Sequence, residues 1–191
     1  MFRKKMLILA SESPRRKVLL EKITPAFTVI PPCVEELDSG EELFELPEKN
    51  ALLKAENVAE RFPDAFVIGA DTAVFAENRM LGKPASAAEA AEMLALLGGR
   101  SHRVISGVAV VCAAKGVRRS WSTVSEVTFK ELSTGTIREY MEKVNVLDKA
   151  GAYAIQEYPE LLGAAWSGER ENIIGLPLER LTGVLKEYGL V

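Results

Sequence analysis

Hydrophobic positions along this chain fall into two kinds of block, short unbroken apolar runs and longer stretches with a helical repeat. The first run, residues 6–10, is closed by Ser11-Glu12 and predicts a short buried strand. Ser13-Pro14 then predicts a helix start, because proline's fixed φ suits the first helical position, where no N–H is missed. A strand is expected at 27–30, stopped by Pro31-Pro32. Over 47–62 the pattern is helical: Pro47 opens it, Ala51, Ala55, Val58 and Phe62 share one face, and Leu52 and Ala59 widen that face. At about 100° per residue, Lys54 falls just beside this stripe, from where it can reach along the surface into a cleft.

The run 66–70 predicts a buried strand ending at Asp71, with 72–76 either continuing it or returning after a bend. Glu77-Asn78-Arg79 predicts a turn and 81–84 a loop, followed by a helix over 86–97 that Gly98-Gly99 ends. Strands over 103–112 and 117–129, a helix near 134–143, a strand near 152–156 and a last helix over 177–188 complete a mixed α/β chain. No repeat or low-complexity block interrupts it, and the acidic stretch 35–45 is the segment expected to form a mobile loop.

Composition limits the function classes. A chain of 191 residues with 48% hydrophobic content is long enough to bury a core, as one large domain or two small lobes. With 24 Lys+Arg against 27 Asp+Glu, the net charge is −3, so no overall positive field draws in nucleic acid and any anion site must be a local cluster. Cys33 and Cys112 stand far apart, outside any C-x-x-C pair, which argues against a disulfide framework and for a reducing, cytoplasmic setting. Both cysteines read as structural, Cys112 as a core residue closing the apolar run 108–112. Residues 1–5 resemble the basic part of a signal peptide, but the apolar run that follows is about five residues long, short of the ~7–15 required, so no exported or membrane segment is expected.

The candidate chemistry starts at the first helix. Its opening turns carry Arg15, Arg16 and Lys17, cations where the helix dipole favours anions. A bound polyanion would repair that conflict, with amide groups and guanidinium forks as its donors; a solvated basic turn is the alternative. His102 is the only histidine, which removes histidine-rich metal sites, and it reads as a strand-entry residue. Acid–base or metal work therefore falls to carboxylates. Asp71, after a strongly apolar run, is placed where α/β sheets open onto ligand crevices, or else it is a turn-forming Asp bonding the Thr72 region. Glu35-Glu36 with Asp38 forms a second acidic group, either a solvated loop or ligands for a hard cation such as Mg²⁺, which takes one or two carboxylates plus phosphate oxygens. Lys83, between Gly82 and Pro84, stands on a stiffened loop where aiming at a ligand costs less entropy. Cations for a polyphosphate and carboxylates for a metal are the parts of phosphoryl or pyrophosphoryl chemistry. No G-x-x-x-x-G-K-[ST] loop occurs, which argues against a Walker-type NTPase.

Five motifs carry a resemblance to a known family. Leu9-Ala10-Ser11-x-Ser13-Pro14-Arg15-Arg16, Gly69-Ala70-Asp71-Thr72, Gly82-Lys83-Pro84, the run from Asp148 to Gln156, and Gly175-Leu176-Pro177-Leu178 together resemble the Maf family of nucleoside triphosphate pyrophosphatases, in order and over about residues 7–185. The resemblance implies an α/β fold related to inosine triphosphate pyrophosphatases, an extended mixed sheet with helices forming two lobes around a nucleotide cleft. It also implies hydrolysis of a nucleoside triphosphate to monophosphate and pyrophosphate with a divalent cation, Mg²⁺ or Mn²⁺. By position, Asp71 matches the family's proton acceptor, Arg15, Thr72 and Gln156 match positions linked to substrate choice, and Ser11, Glu36, Lys54 and Lys83 match further cleft residues. In that arrangement Ser11, Arg15 and Arg16 would hold phosphate, Lys54 and Lys83 would offset charge on the leaving pyrophosphate, and Glu36 with Asp71 would hold the metal and orient water.

The Asp71-Thr72 pairing resembles the members acting on dTTP and UTP, whereas the 7-methyl-GTP group tends to carry Gln after the Asp. Alternatives within the resemblance are a 7-methyl-GTP pyrophosphatase and a nucleotide-binding regulator of septum formation with little turnover. Related proteins are often dimers, so a homodimer is open. Three departures stand out: Glu35 where Asp is usual, Asn145-Val146 in place of Glu-Pro, and Glu157 where Gly usually follows Gln156.

Overall fold

A computed structural model describes residues 5–39 and 42–191; the basic start at 1–4 lies outside the described residues. The strands are β1 (Leu7–Ala10), β2 (Thr28–Val29), β3 (Phe66–Ala76), β4 (Arg79–Leu81), β5 (Ser101–Cys112), β6 (Val117–Thr128) and β7 (Ala165–Ser167). The helices are α1 (Pro14–Glu21), α2 (Leu46–Arg61), α3 (Ala87–Leu97), α4 (Thr134–Lys143), α5 (Pro159–Leu162), α6 (Arg170–Ile174) and α7 (Leu178–Glu187). The strands form one mixed sheet in the order β2-β1-β3-β5-β6-β7, with β4 paired to β3. No helix among the described residues is long and apolar enough to cross a membrane.

The described residues divide into two compact units, the first made of 5–39, 42–71, 106–123 and 175–191, the second of 72–105 and 124–174. In the first, β1 runs parallel to both β2 and β3, with Ala10 opposite Gly69. Its core joins Ile8, Val67, Ala109 and Val111 of the sheet to Ala51, Ala55, Val58 and Ala59 of α2, the apolar face that the helical repeat marks. Small residues on that face bring α2 very near the strands. A Cβ on Gly69 would stand 2.0 Å from the Ala51 carbonyl oxygen, and one on Gly107 2.1 Å from that of Pro47, so only glycine fits at either point.

The second unit packs Leu94 and Leu97 of α3, Tyr140 of α4 and Phe129, Ile155 and Leu162 into one cluster. Its hairpin joins β3 to β4 antiparallel with Ala76 opposite Arg79, and Glu77 and Asn78 in the turn both take positive φ (48° and 62°). That is the two-residue loop whose twist matches the flanking strands.

The structure decides one alternative that the sequence left open and departs from other expectations. Of the two courses open to 72–76, the strand takes the continuing one and runs to Ala76, because Ala73 to Ala76 are all buried and β4 supplies a partner. The strand expected at 27–30 is shortened to Thr28–Val29. No strand forms near 152–156. Gly151 and Ala152 adopt left-handed φ (66° and 62°), and the Tyr140 hydroxyl takes both the Ala154 N–H (3.1 Å) and, as donor, its carbonyl (3.3 Å), so this backbone is satisfied by a side chain. In the acidic stretch 35–45, Leu43–Glu45 form a 3-10 turn and Leu37 is anchored by Asn50, while 40 and 41 lie outside the described residues. The two cysteines are unpaired, Cys112 buried and Cys33 exposed, so Cys33 has no core role.

Candidate active site

In the first unit the loop after β1 and the start of α1 are held by their own serines. Ser13 caps α1, its hydroxyl accepting the Arg16 N–H at 3.4 Å. Buried Ser11 accepts the Ser13 N–H at 3.1 Å, which leaves its hydroxyl hydrogen to donate elsewhere. The first turn of α1 has no acidic residue. The amide of Arg16 is thus spent on the cap, and Pro14 has none, so an anion here would be held chiefly by side chains. Arg16 is anchored by its Nε, which donates to the Gly175 carbonyl at 3.0 Å. Burial lowers the pKa of its guanidinium and Arg15 adds to the fall, while Asp71 and Glu36 oppose it. An arginine remains a cation through such a shift.

Asp71 lies on β3 just past the residue pair where β1 stops, Ala10 opposite Gly69, so its side of β3 has lost the β1 neighbour. Its carboxylate meets α2. Lys54 Nζ is 2.7 Å from Asp71 Oδ1 and 2.8 Å from Glu36 Oε1, so one ammonium holds both acids. The Lys54 side chain is only 6% exposed and Asp71 13%, against 57% for Glu36, which places a desolvated cation between a sheltered carboxylate and an open one. Burial of such an ammonium is tolerable only because the two carboxylates compensate it. The position beside the apolar stripe was legible in the sequence; the depth of burial was not.

One turn earlier on the same helix, Asn50 is 4% exposed and fully engaged. Its Oδ1 accepts the Leu37 N–H at 2.8 Å, and its Nδ2 donates to the Leu37 carbonyl at 2.9 Å and to Asp71 Oδ2 at 3.4 Å. The sequence reading missed Asn50. The signal present was a polar residue exactly one helical turn, i and i+4, from Lys54.

The second unit carries Thr72, Lys83 and Gln156. Thr72 follows Asp71 on β3 and is half-buried. Lys83 is exposed on the loop after β4, which is tied down where the Gly151 N–H donates to the Gly82 carbonyl at 3.0 Å. Gln156 is half-buried, and its Oε1 is buried with no hydrogen-bond partner, an acceptor left open. Glu157, the unusual neighbour, points its charge at buried Lys149, whose Nζ lies 3.5 Å from Glu157 Oε1 and 2.8 Å from Asp148 Oδ1. His102 is buried, its Nε2 2.8 Å from the Tyr153 hydroxyl.

Among the described residues, no three His, Cys, Asp or Glu side chains converge as a ready-made metal cage. Asp71 and Glu36 nevertheless meet at one point, and two carboxylates are a suitable partial shell for a hard divalent ion that takes its remaining oxygens from phosphate and water.

A family description, "Maf: Maf-like protein", matches residues 6–188. The chain belongs to the Maf family. Relatives agree along nearly the whole length: a protein of Akkermansia muciniphila named dTTP/UTP pyrophosphatase is 45% identical over 184 residues, covering 96% of each chain. Proteins of the same name from Symbiobacterium thermophilum (45% identical, 96% of this chain and 94% of that one) and Bacillus cereus (41%, 97% and 91%) are similar to it as well. Among solved structures, the Staphylococcus aureus Ham1 protein matches with a TM-score of 0.57 at 18% identity, over 96% of this chain and 100% of its own, a likeness of fold. The expected Maf-type α/β architecture is thereby borne out.

Proposed function

We propose that this chain, working as one Maf-like domain, hydrolyses dTTP and UTP to the nucleoside monophosphate and pyrophosphate. The relatives named dTTP/UTP pyrophosphatase support the substrate class. The observation that carries the chemistry is the meeting of Asp71 and Glu36 on Lys54 Nζ, two acids and a cation at one point on the first unit.

Each side chain then has a task. Asp71, on a rigid strand and fixed at both oxygens, accepts the proton of the water that attacks the α-phosphorus. As the new P–O bond forms, the bond from the α-phosphorus to the bridging oxygen breaks, and the electron pair leaves with pyrophosphate. Arg15 and Arg16 bind the departing charge, and the hydroxyl hydrogen of Ser11 donates to a phosphate oxygen. Lys54 keeps the two carboxylates together, so that the site is assembled before substrate arrives. Glu36 and Asp71 would hold a divalent cation, Mg²⁺ or Mn²⁺, which when bound offsets phosphate charge. The Gln156 carboxamide, whose Oε1 has no partner within the protein, offers an acceptor for the N3–H of a uracil or thymine and an N–H₂ donor for a base carbonyl, and Thr72 supplies a small hydroxyl next to Asp71 in sequence.

The test is kcat/KM for dTTP, UTP, ATP, GTP and 7-methyl-GTP on the purified chain. Pyrimidine triphosphates come first in this reading, and a preference for 7-methyl-GTP overturns it.

A further inference from the structure

We propose that Asn50 is a positioning residue for this reaction: its one buried carboxamide fixes the loop bearing Glu36 and the Oδ2 oxygen of Asp71 with respect to each other. The inference rests on the pyrophosphatase reading for its activity readout, and on geometry alone for the rest. Asn50 grips Leu37 as a strand partner would, accepting its N–H at 2.8 Å and donating to its carbonyl at 2.9 Å. Leu37 immediately follows Glu36, so clamping both backbone groups of Leu37 sets where the Glu36 side chain departs. The second N–H of the same amide reaches Asp71 Oδ2 at 3.4 Å, while Lys54, one turn on, holds Oδ1 at 2.7 Å. The aspartate therefore has each oxygen fixed by a different residue of α2 and its carboxylate plane set.

A residue that only filled space would not need this. Asn50 is 4% exposed in a helix whose neighbouring buried positions Ala51, Ala55 and Val58 are apolar, and an apolar side chain there would leave the Leu37 N–H and carbonyl without these partners. The polar choice spends all three hydrogen-bonding groups of the amide on two partners, Leu37 and Asp71, and both bear on the same pair of acids. Outer partners of this kind fix the orientation of ligating carboxylates without touching substrate.

The test compares the wild-type chain with Asn50→Leu, which removes donor and acceptor at similar size, and Asn50→Ser, which keeps a polar group too short to reach. Three quantities are read on folded protein: kcat and KM for UTP, Mn²⁺ affinity by paramagnetic resonance without nucleotide, and hydrogen exchange of the Leu37 amide. The proposal predicts faster exchange at Leu37, Mn²⁺ binding and kcat each weakened about 10–100-fold, and a KM for UTP changed less than about threefold. Faster exchange at Leu37 with wild-type Mn²⁺ affinity and wild-type kcat would overturn it, since Asn50 would then hold the loop and nothing more. If Asn50→Leu does not fold, the same readings on Asn50→Ser decide. A wild-type chain that fails to hydrolyse UTP strikes at the pyrophosphatase reading instead, and Mn²⁺ binding with Leu37 exchange still judges Asn50.

Discussion

Lys54 Nζ lies 2.7 Å from Asp71 Oδ1, a buried ammonium on α2 reaching a carboxylate on β3 across seventeen residues of sequence. The pairing is helped by close approach of the two backbones. Gly69, two residues before Asp71, lets the α2 backbone lie against the strand, and Asn50 and Lys54 on successive turns then converge on one side chain.

Asp71→Asn keeps the shape of the side chain and loses its basicity and its charge. Turnover of UTP should fall by about 10²–10⁴ while the circular dichroism spectrum stays that of the wild type. Near-normal turnover in folded Asp71→Asn protein would remove Asp71 from the chemistry.

Gly69→Ala tests the close approach itself. The new methyl would meet the Ala51 carbonyl oxygen at 2.0 Å and the Ala55 nitrogen at 2.8 Å, so α2 must shift, carrying Asn50 and Lys54 with it. Urea unfolding should show a loss of about 1–3 kcal/mol, and kcat should drop more than KM rises. Unchanged stability and kcat would mean the helix has room to spare.

His102 gives a pH signature unrelated to catalysis. It packs edge-on to Phe129 and Tyr153, with ring centroids 4.9 and 5.3 Å away, and burial lowers its pKa from 6.5 to about 4. The folded state therefore holds the neutral ring, while the unfolded chain takes up a proton as pH falls through 6.5. Stability from this group is complete above about pH 6.5 and is lost progressively toward pH 4, by about 2 kcal/mol between pH 7.5 and pH 5. Denaturant titrations of wild type and His102→Gln at those two pH values measure it: the slope with pH should be shallower in the variant, and equal slopes would contradict the assignment.

Gln156→Ala should weaken dTTP and UTP more than ATP or GTP, because the variant loses the open acceptor and the amide donor that match a pyrimidine edge. The change in the kcat/KM ratio of UTP to ATP is the measurement. A ratio that stays put would show that Gln156 does not read the base.

Legibility in the sequence followed the length and regularity of each signal. The Ser13-Pro14 start of α1 and the apolar repeat of α2 are local patterns, and both elements form within a residue or two of expectation. Short elements such as β4, β7 and α6, at three to five residues each, carry too few positions for a period to show. The apolar run at 152–156 looks like a strand because hydrophobicity reports burial, and burial is real there; what replaces the neighbouring strand is one tyrosine hydroxyl, Tyr140, from a different helix. In the site, residue types at Asp71 and Lys54 are readable, but the burial of Lys54 goes with its pairing to two acids distant in sequence, and the part played by Asn50 comes from a contact with a loop thirteen residues away.

The measurement that bears most directly on the proposed reaction is hydrolysis of UTP with Mg²⁺ in ¹⁸O-labelled water, followed by mass analysis of both products. Attack at the α-phosphorus puts the label in UMP and leaves pyrophosphate unlabelled, with no turnover once a chelator is added. Label in pyrophosphate, or release of UDP and inorganic phosphate, would contradict the account by showing that water attacks a different phosphorus.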